Sequence, residues 1–201
     1  MSVGESPRYA LSMIKSVRQT MPNVDVLHLT DEDTPPIQGT LTVRLPNAYD
    51  NLTIFRMYHL SQLSGDVLCL DTDVVVCRSV KLIFDIEFDV GLTYRTEKVV
   101  DPNGVDITKL MPYNTGVLFC RNPAFWKASF DLGRDKGTGW YTDQLAVAAV
   151  ARSNHFNILK LHCDNFNYKP RSADDDLSCR YIVHYKGGAR KHLDQLIGEE
   201  Q

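Results

Sequence analysis

Asp71-Thr72-Asp73 carries the strongest chemical signal in the sequence, with an apolar run from Val67 to Leu70 before it and a second apolar run after it. Two carboxylates one residue apart at a strand end are held at a fixed spacing at the carboxyl edge of a sheet, where open α/β sheets bind their ligands. Such neighbours repel unless a proton or cation stands between them, and hard divalent ions such as Mg²⁺ or Mn²⁺ favour carboxylate oxygens. The chemistry on offer is a metal site that carries a phosphorylated ligand. A turn with two solvated acids is the alternative.

Four further features bear on the same chemistry. Arg56 falls in a helical segment on or near an apolar face, and a buried guanidinium needs a partner, for which a phosphate or an acid of the metal site would serve. A surface arginine whose stem covers apolar neighbours would look the same. Tyr113-Asn114-Thr115-Gly116 stands where a loop enters a strand, and Asn114 offers donor and acceptor to hydroxyl groups. A plain turn is the other reading. Asp143-Gln144 opens a helix, where the dipole favours a carboxylate with or without a ligand.

His184 follows Tyr181-Ile182-Val183 and precedes Tyr185-Lys186-Gly187-Gly188-Ala189-Arg190-Lys191. A histidine at a strand end can complete a mixed Asp/His metal site, although a lone histidine is as readily structural. Gly187 and Gly188 would let backbone amides reach an anion, and Lys191 or Arg190 could neutralise phosphate.

The elements that must position these residues alternate between strand and helix. Ser6-Pro7 is a helix start, and Ala10, Met13, Ile14 and Val17 recur at helical spacing before Met21-Pro22. Strands are expected at Val24 to Leu29, Leu41 to Leu45, Val67 to Leu70, Phe88 to Tyr94, Gly116 to Cys120, Phe156 to Leu161 and Tyr181 to Tyr185. Helices are expected from Leu52 to Leu63, after Asn122-Pro123, from a Thr142 cap, and from Ala189 to Ile197. Polar loops fall at Asp31 to Pro36 and around Pro102-Asn103-Gly104. The pattern predicts an α/β fold, a three-layer and mostly parallel sheet flanked by helices, in a single domain over residues 1–201. A sheet of this class should open with a strand, yet only Met1 to Glu5 precede the first helix, so either Ser2-Val3 is a stub of that strand or the chain starts later than others of its class.

Composition sets outer bounds. The 201 residues are 43% hydrophobic and 23% charged, ordinary globular values. A net charge of −3 gives no broad attraction to nucleic acid or anionic membrane. No apolar run approaches the ~20 residues of a membrane span, and the first residues lack a signal-peptide core. Cys69, Cys77, Cys120, Cys163 and Cys179 are odd in number and form no C-x-x-C pair, which reads as reduced thiols in a cytoplasmic protein. Asn51-Leu52-Thr53 fits a glycosylation acceptor but is read as a helix opening.

Taken in order, these residues resemble the GT-A-fold nucleotide-sugar glycosyltransferases, in particular the retaining, metal-dependent group of glycogenin and the bacterial lipopolysaccharide galactosyl- and glucosyltransferases. The resemblance runs from about Tyr9 to Lys191. It rests on the Ser-Pro-Arg-Tyr-Ala-Leu-Ser helix, Arg56, Leu-Asp-Thr-Asp as a D-x-D, Asn-Thr-Gly-Val-Leu, the Asp-Gln helix start and His-Tyr-Lys-Gly. It implies that Asp71, Asp73 and His184 bind Mn²⁺ or Mg²⁺, which bridges the diphosphate of a nucleotide-sugar, a UDP-sugar first among candidates. It further implies that Lys191, Gly187, Gly188 and Thr72 meet the diphosphate and that Arg56 holds the donor side. Asn114, Asp143 and Gln144 would face the transferred sugar and a hydroxyl acceptor: glycan, lipid-linked sugar, protein or modified base. Where the family has Pro-Trp after its lysine, this chain has His192-Leu193. The chain is also shorter than typical members, so an oligomer or partner chain could complete the site.

Nucleotidyltransferases of related architecture are a weaker alternative, since Gly4-Glu5-Ser6-Pro7-Arg8 is a poor version of their glycine-rich basic loop, and two other rivals stand. One is a degenerate GT-A domain that binds a nucleotide-sugar without transfer. The other is a haloacid-dehalogenase-like phosphatase, in which Asp71 is the nucleophile, Asp73 the acid/base and Asp174 to Asp176 help hold Mg²⁺.

Overall fold

Ala10, Ile14 and Val17 bury one face of α1 (Arg8–Thr20), as their spacing predicts. The computed structural model describes residues 8–44, 51–101, 103–136, 139 and 141–198. The expected Ser6-Pro7 helix start, the Ser2-Val3 stub and Pro102 lie outside these. After α1 come β1 (Leu27–Thr30), β2 (Leu41–Arg44), α2 (Leu52–Leu60), β3 (Val67–Leu70) and β4 (Val74–Val76). Next are β5 (Val90–Tyr94), β6 (Tyr113–Cys120), α3 (Pro123–Gly133), α4 (Thr142–Ala151) and β7 (Ile158–His162). The one-turn helix α5 (Cys163–Phe166), β8 (Ile182–His184) and α6 (Arg190–Gly198) close the series. No described helix is long and apolar enough to cross a membrane.

The chain leaves and re-enters two compact units: residues 1–47, 70–85 and 164–201 form the first, residues 48–69 and 86–163 the second. In the first, β1 and β2 pair in parallel from Leu27↔Leu41 to Thr30↔Arg44. Their connection is held by Arg44, whose guanidinium donates to the carbonyls of Asp31, Glu32 and Thr34 at 3.1, 2.6 and 2.9 Å. Strand β4 runs antiparallel to β8, and the Val76 amide donates to Ser16 Oγ of α1 at 3.0 Å. Val183, Tyr185 and Leu193 form a small core with Tyr9, Val75, Cys77, Tyr168, Leu177 and Ile197 around them.

The second unit holds a four-stranded sheet in the order β3-β6-β5-β7. Helices α2, α3 and α4 contribute Ile54, Met57, Leu60, Phe125, Trp126, Phe130 and Ala146 to a core shared with Val90, Leu92 and Leu118. Asn51 and Asn122 cap α2 and α3, their side chains accepting from the amides of Thr53 and Ala124. Gly91 of β5 faces Phe119 of β6, and a Cβ there would lie 2.9 Å from the Phe119 Cβ.

The α/β class is as expected, and the strand pairing is mixed. Pairs β1–β2 and β5–β7 are parallel, whereas β5–β6 and β4–β8 are antiparallel. Between β5 and β6 the chain turns back through the Val100–Asp106 bridge and the Arg95 amide to Pro112 carbonyl bond of 2.7 Å. Without a crossover helix there, an antiparallel return is the ordinary outcome.

Two local expectations shift. Strand β6 begins at Tyr113 rather than Gly116, and all eight of its residues are buried. Thr142 is not the cap of α4: Tyr141 takes that position, and the Thr142 hydroxyl donates to the Gly139 carbonyl at 2.7 Å.

Candidate metal centre

Strand β3 ends at Leu70, Thr72 and Asp73 turn, and β4 begins at Val74, so the D-x-D fills the three-residue break between the strands. Across the β4–β8 ladder Val74 stands opposite His184. The Tyr185 amide donates to the Asp73 carbonyl at 2.9 Å and extends that ladder past the turn. On its other side β8 is pinned by the His184 amide on the Tyr168 carbonyl at 2.7 Å. Residues distant in the chain thereby meet: His184 Nε2 is 3.1 Å from Oδ1 of Asp73, 111 positions away, and 3.6 Å from Asp71 Oδ2.

One ligand atom from each of Asp71, Asp73 and His184 lies within 4.8 Å of the other two. His184 Nδ1 is 2.8 Å from Asn167 Oδ1. An amide oxygen only accepts, so the network places a proton on Nδ1 and leaves Nε2 to face the carboxylates. A nitrogen facing two carboxylates calls for a positive charge among them, either a proton on Nε2 that donates to Asp73 or a metal ion in that proton's place. The donor set of two oxygens and one imidazole nitrogen suits Mn²⁺ or Mg²⁺, which would keep further positions for water and phosphate oxygens. The residues therefore fit a divalent ion.

Asp73 and His184 are each about 3% exposed, while Asp71 is half-buried. Burial pushes the Asp73 carboxyl up, but hydrogen bonds and charge from His184 and then Arg190 outweigh it and hold the group well below the ordinary carboxylate range. Arg190 contributes through its Nε, which donates to Asp73 Oδ2 at 2.8 Å. Lys191, the neighbouring base, is exposed on the first turn of α6. Gly187 and Gly188 form an exposed 3-10 turn before α6, with Gly187 at φ +59°. Asp174 to Asp176 lie outside the carboxylate–histidine group. Asp175 accepts from the Tyr168 hydroxyl, the Arg171 amide and the Ser172 hydroxyl, and Asp176 from the Ser178 amide.

In the second unit the remaining expected residues form a buried polar set. Arg56 pairs with Asp143, which is not one of the acids of the metal group, with Nη2 to Oδ2 at 2.6 Å. The Thr115 hydroxyl donates to the same oxygen at 2.7 Å. Asp143 Oδ1 is buried and has no hydrogen-bond partner among the described residues. Gln144 Oε1 accepts from Arg95, whose Nε donates to the Met111 carbonyl at 3.0 Å. Asn114 Oδ1 accepts from the Gly116 amide at 2.9 Å, beside the register shift between Leu92 and Thr93.

Sequence reading missed Asn167, Thr115 and Arg95. Thr115 stood inside a motif already singled out. Nothing in the local pattern around Asn167 or Arg95 marks either.

Solved structures share this fold. The glycosyltransferase GlyE of Streptococcus pneumoniae TIGR4 matches with a TM-score of 0.64 and 14% identity, over 99% of this chain and 61% of its own. The galactosyltransferase LgtC, solved with donor and acceptor sugar analogues, matches at TM-score 0.57 and 14% identity over 98% of this chain and 94% of its own. A glycosyltransferase involved in glycosylation of the major capsid of PBCV-1 matches at 0.62 and 14%, over 96% of each chain. This chain thus spans 61% of the length of GlyE, and the likeness to all three establishes the GT-A fold. No protein-family model and no curated protein sequence matches the chain.

Proposed function

We propose that the chain is a glycosyltransferase domain over residues 1–201 that moves a sugar from a nucleoside-diphosphate sugar, UDP-linked in the first instance, to a hydroxyl acceptor. The reaction is metal-dependent and retains configuration. One observation carries the reading: Asp71, Asp73 and His184 converge within 4.8 Å, in a chain that shares its fold with glycosyltransferases.

In this reading Asp71, Asp73 and His184 hold Mn²⁺ or Mg²⁺, and Asn167 fixes the imidazole tautomer that ligation needs. When bound, such an ion acts as an electrophile toward the diphosphate leaving group. Thr72, Gly187, Gly188 and Lys191 are assigned to the diphosphate. Asn114, Asp143 and Gln144 are assigned to the sugar and acceptor. The bare Oδ1 of Asp143 supports that role, because a buried carboxylate oxygen gains most from a hydroxyl donor. Arg56 pairs with Asp143 and orients it, so its contribution to the donor side runs through that carboxylate. The phosphatase rival loses support because Asp175 and Asp176 are engaged in their own loop.

The test is hydrolysis and transfer from a panel of nucleotide-sugars. Turnover should require Mn²⁺ or Mg²⁺ and fall to background in Asp73→Ala, with product anomers matching the donor by NMR. Activity in EDTA would refute the metal dependence, inversion the retaining mechanism, and binding without turnover would favour the degenerate domain.

A further inference from the structure

Asp73 is gripped from two sides. Oδ1 faces His184 Nε2 at 3.1 Å, and Oδ2 accepts from Arg190 Nε at 2.8 Å. Arg190 is itself seated between helices. Its guanidinium carbon lies 6.0 Å from the centroid of the Tyr9 ring, and the Tyr9 hydroxyl donates to Asp194 Oδ1 at 2.8 Å. Asp194 also pairs with Arg8, so the start of α1 and the first turns of α6 are tied together around Arg190. Half of the Arg190 side chain faces solvent, whereas the Asp73 side chain is almost wholly buried.

From this geometry we infer that Arg190 is a resident counter-cation of the carboxylate pair, one that confines Asp73 to a single coordinating oxygen and weakens the site's hold on a free divalent ion. The inference rests on the metal-site reading above and deepens it. Two carboxylates alone would present a doubly negative site. With the guanidinium on one of them the site is singly negative, and its attraction for a dication falls accordingly. Oδ2 is occupied by a donor, which leaves Oδ1, the oxygen already facing the imidazole, for the ion. An incoming diphosphate restores negative charge beside the ion. Metal and nucleotide therefore bind as a cooperative pair, and the chain discriminates against the ion alone.

The readout is Mn²⁺ affinity of the full chain, measured by the loss of the free-ion electron paramagnetic resonance signal, with and without UDP. At low salt Arg190→Gln and Arg190→Met should bind Mn²⁺ alone about three- to tenfold more tightly than the native chain, a gap that narrows as salt is raised. Arg190→Lys, which keeps the charge, should stay within about twofold, and the tightening of Mn²⁺ by UDP should shrink in the neutral variants. Should those variants be too unstable to titrate, the Mn²⁺-induced rise in Tm gives the same comparison and should be larger than in the native chain. Equal or weaker Mn²⁺ binding in both neutral variants would overturn the inference and leave Arg190 a scaffold for Asp73. If the native chain and the neutral variants all fail to bind Mn²⁺, with or without UDP, the metal-site reading itself falls, and the inference with it.

Discussion

The amide oxygen of Asn167 stands 2.8 Å from Nδ1 of His184, and both residues are buried. The contact sets which imidazole nitrogen faces Asp71 and Asp73. Partners of this kind are typically worth roughly 10- to 100-fold in metal affinity. Asn167→Leu should therefore weaken Mn²⁺ binding by about that factor, while Asn167→Asp, which keeps an acceptor at the same place, should retain most of it. Calorimetric titration of Mn²⁺ into each variant checks this. Unchanged affinity in Asn167→Leu would mean that the ring needs no such support.

Arg56 and Asp143 form an ion pair whose side chains are 9% and 2% exposed. Breaking a buried pair from one side strands the other charge, at a cost of about 3–5 kcal/mol, whereas replacing both partners by apolar side chains is far milder. Urea unfolding of Arg56→Leu should show that loss, and Arg56→Leu combined with Asp143→Leu should recover part of it. A double variant no more stable than Arg56→Leu alone would contradict this account. The activity of the double variant should stay low even where stability returns, because Oδ1 of Asp143 is assigned to the substrate.

Gly91 tests the sheet that carries this polar set. A methyl group there would meet the Phe119 Cβ at 2.9 Å. That atom is fixed to the backbone of the neighbouring strand, so no side-chain rotation relieves the contact. Gly91→Ala should cost roughly 1–3 kcal/mol through strand displacement. The measurement is the shift in urea midpoint at unchanged slope, and Gly91→Ala in a Phe119→Ala background should not relieve it, since Cβ remains.

How much of this was legible in the sequence depended on the range of the interactions involved. The helix starts at Asn51 and Asn122 rest on bonds to an amide two residues away, so local residue types disclose them. Asp71, Asp73 and His184 could be singled out as strand-end residues, and the β4–β8 register then supplied their meeting. Pairing direction was less accessible, because the Asn103-Gly104 turn lies within a long excursion between β5 and β6 and does not join the two strands directly. Arg190 and Lys191 show a different limit. They are adjacent, and residues one apart on a helix point in quite different directions. The 3-10 turn before α6 sets which of them reaches Asp73, and that phase is not written in residue types. Asn167 and Arg95 act on partners 17 and 49 residues away, and no local periodicity marks such pairs.

His59 gives the molecule a pH dependence away from the metal residues. It lies in α2, its ring edge-on to Phe55 at 4.2 Å and Tyr58 at 5.1 Å, and Nε2 is buried without a hydrogen-bond partner among the described residues. Burial pushes its pKa below the ordinary histidine value of 6.5. The folded chain therefore keeps the ring neutral over a range in which the unfolded chain takes up a proton. Stability is complete above pH 6.5 and falls as pH drops from there toward the depressed folded value, with a slope of at most about 1.4 kcal/mol per pH unit for one proton. Urea midpoints between pH 5 and pH 7.5 should decline toward acid in the native chain, and less steeply in His59→Leu, which cannot take up that proton. Parallel declines in the two proteins would place the titrating group elsewhere.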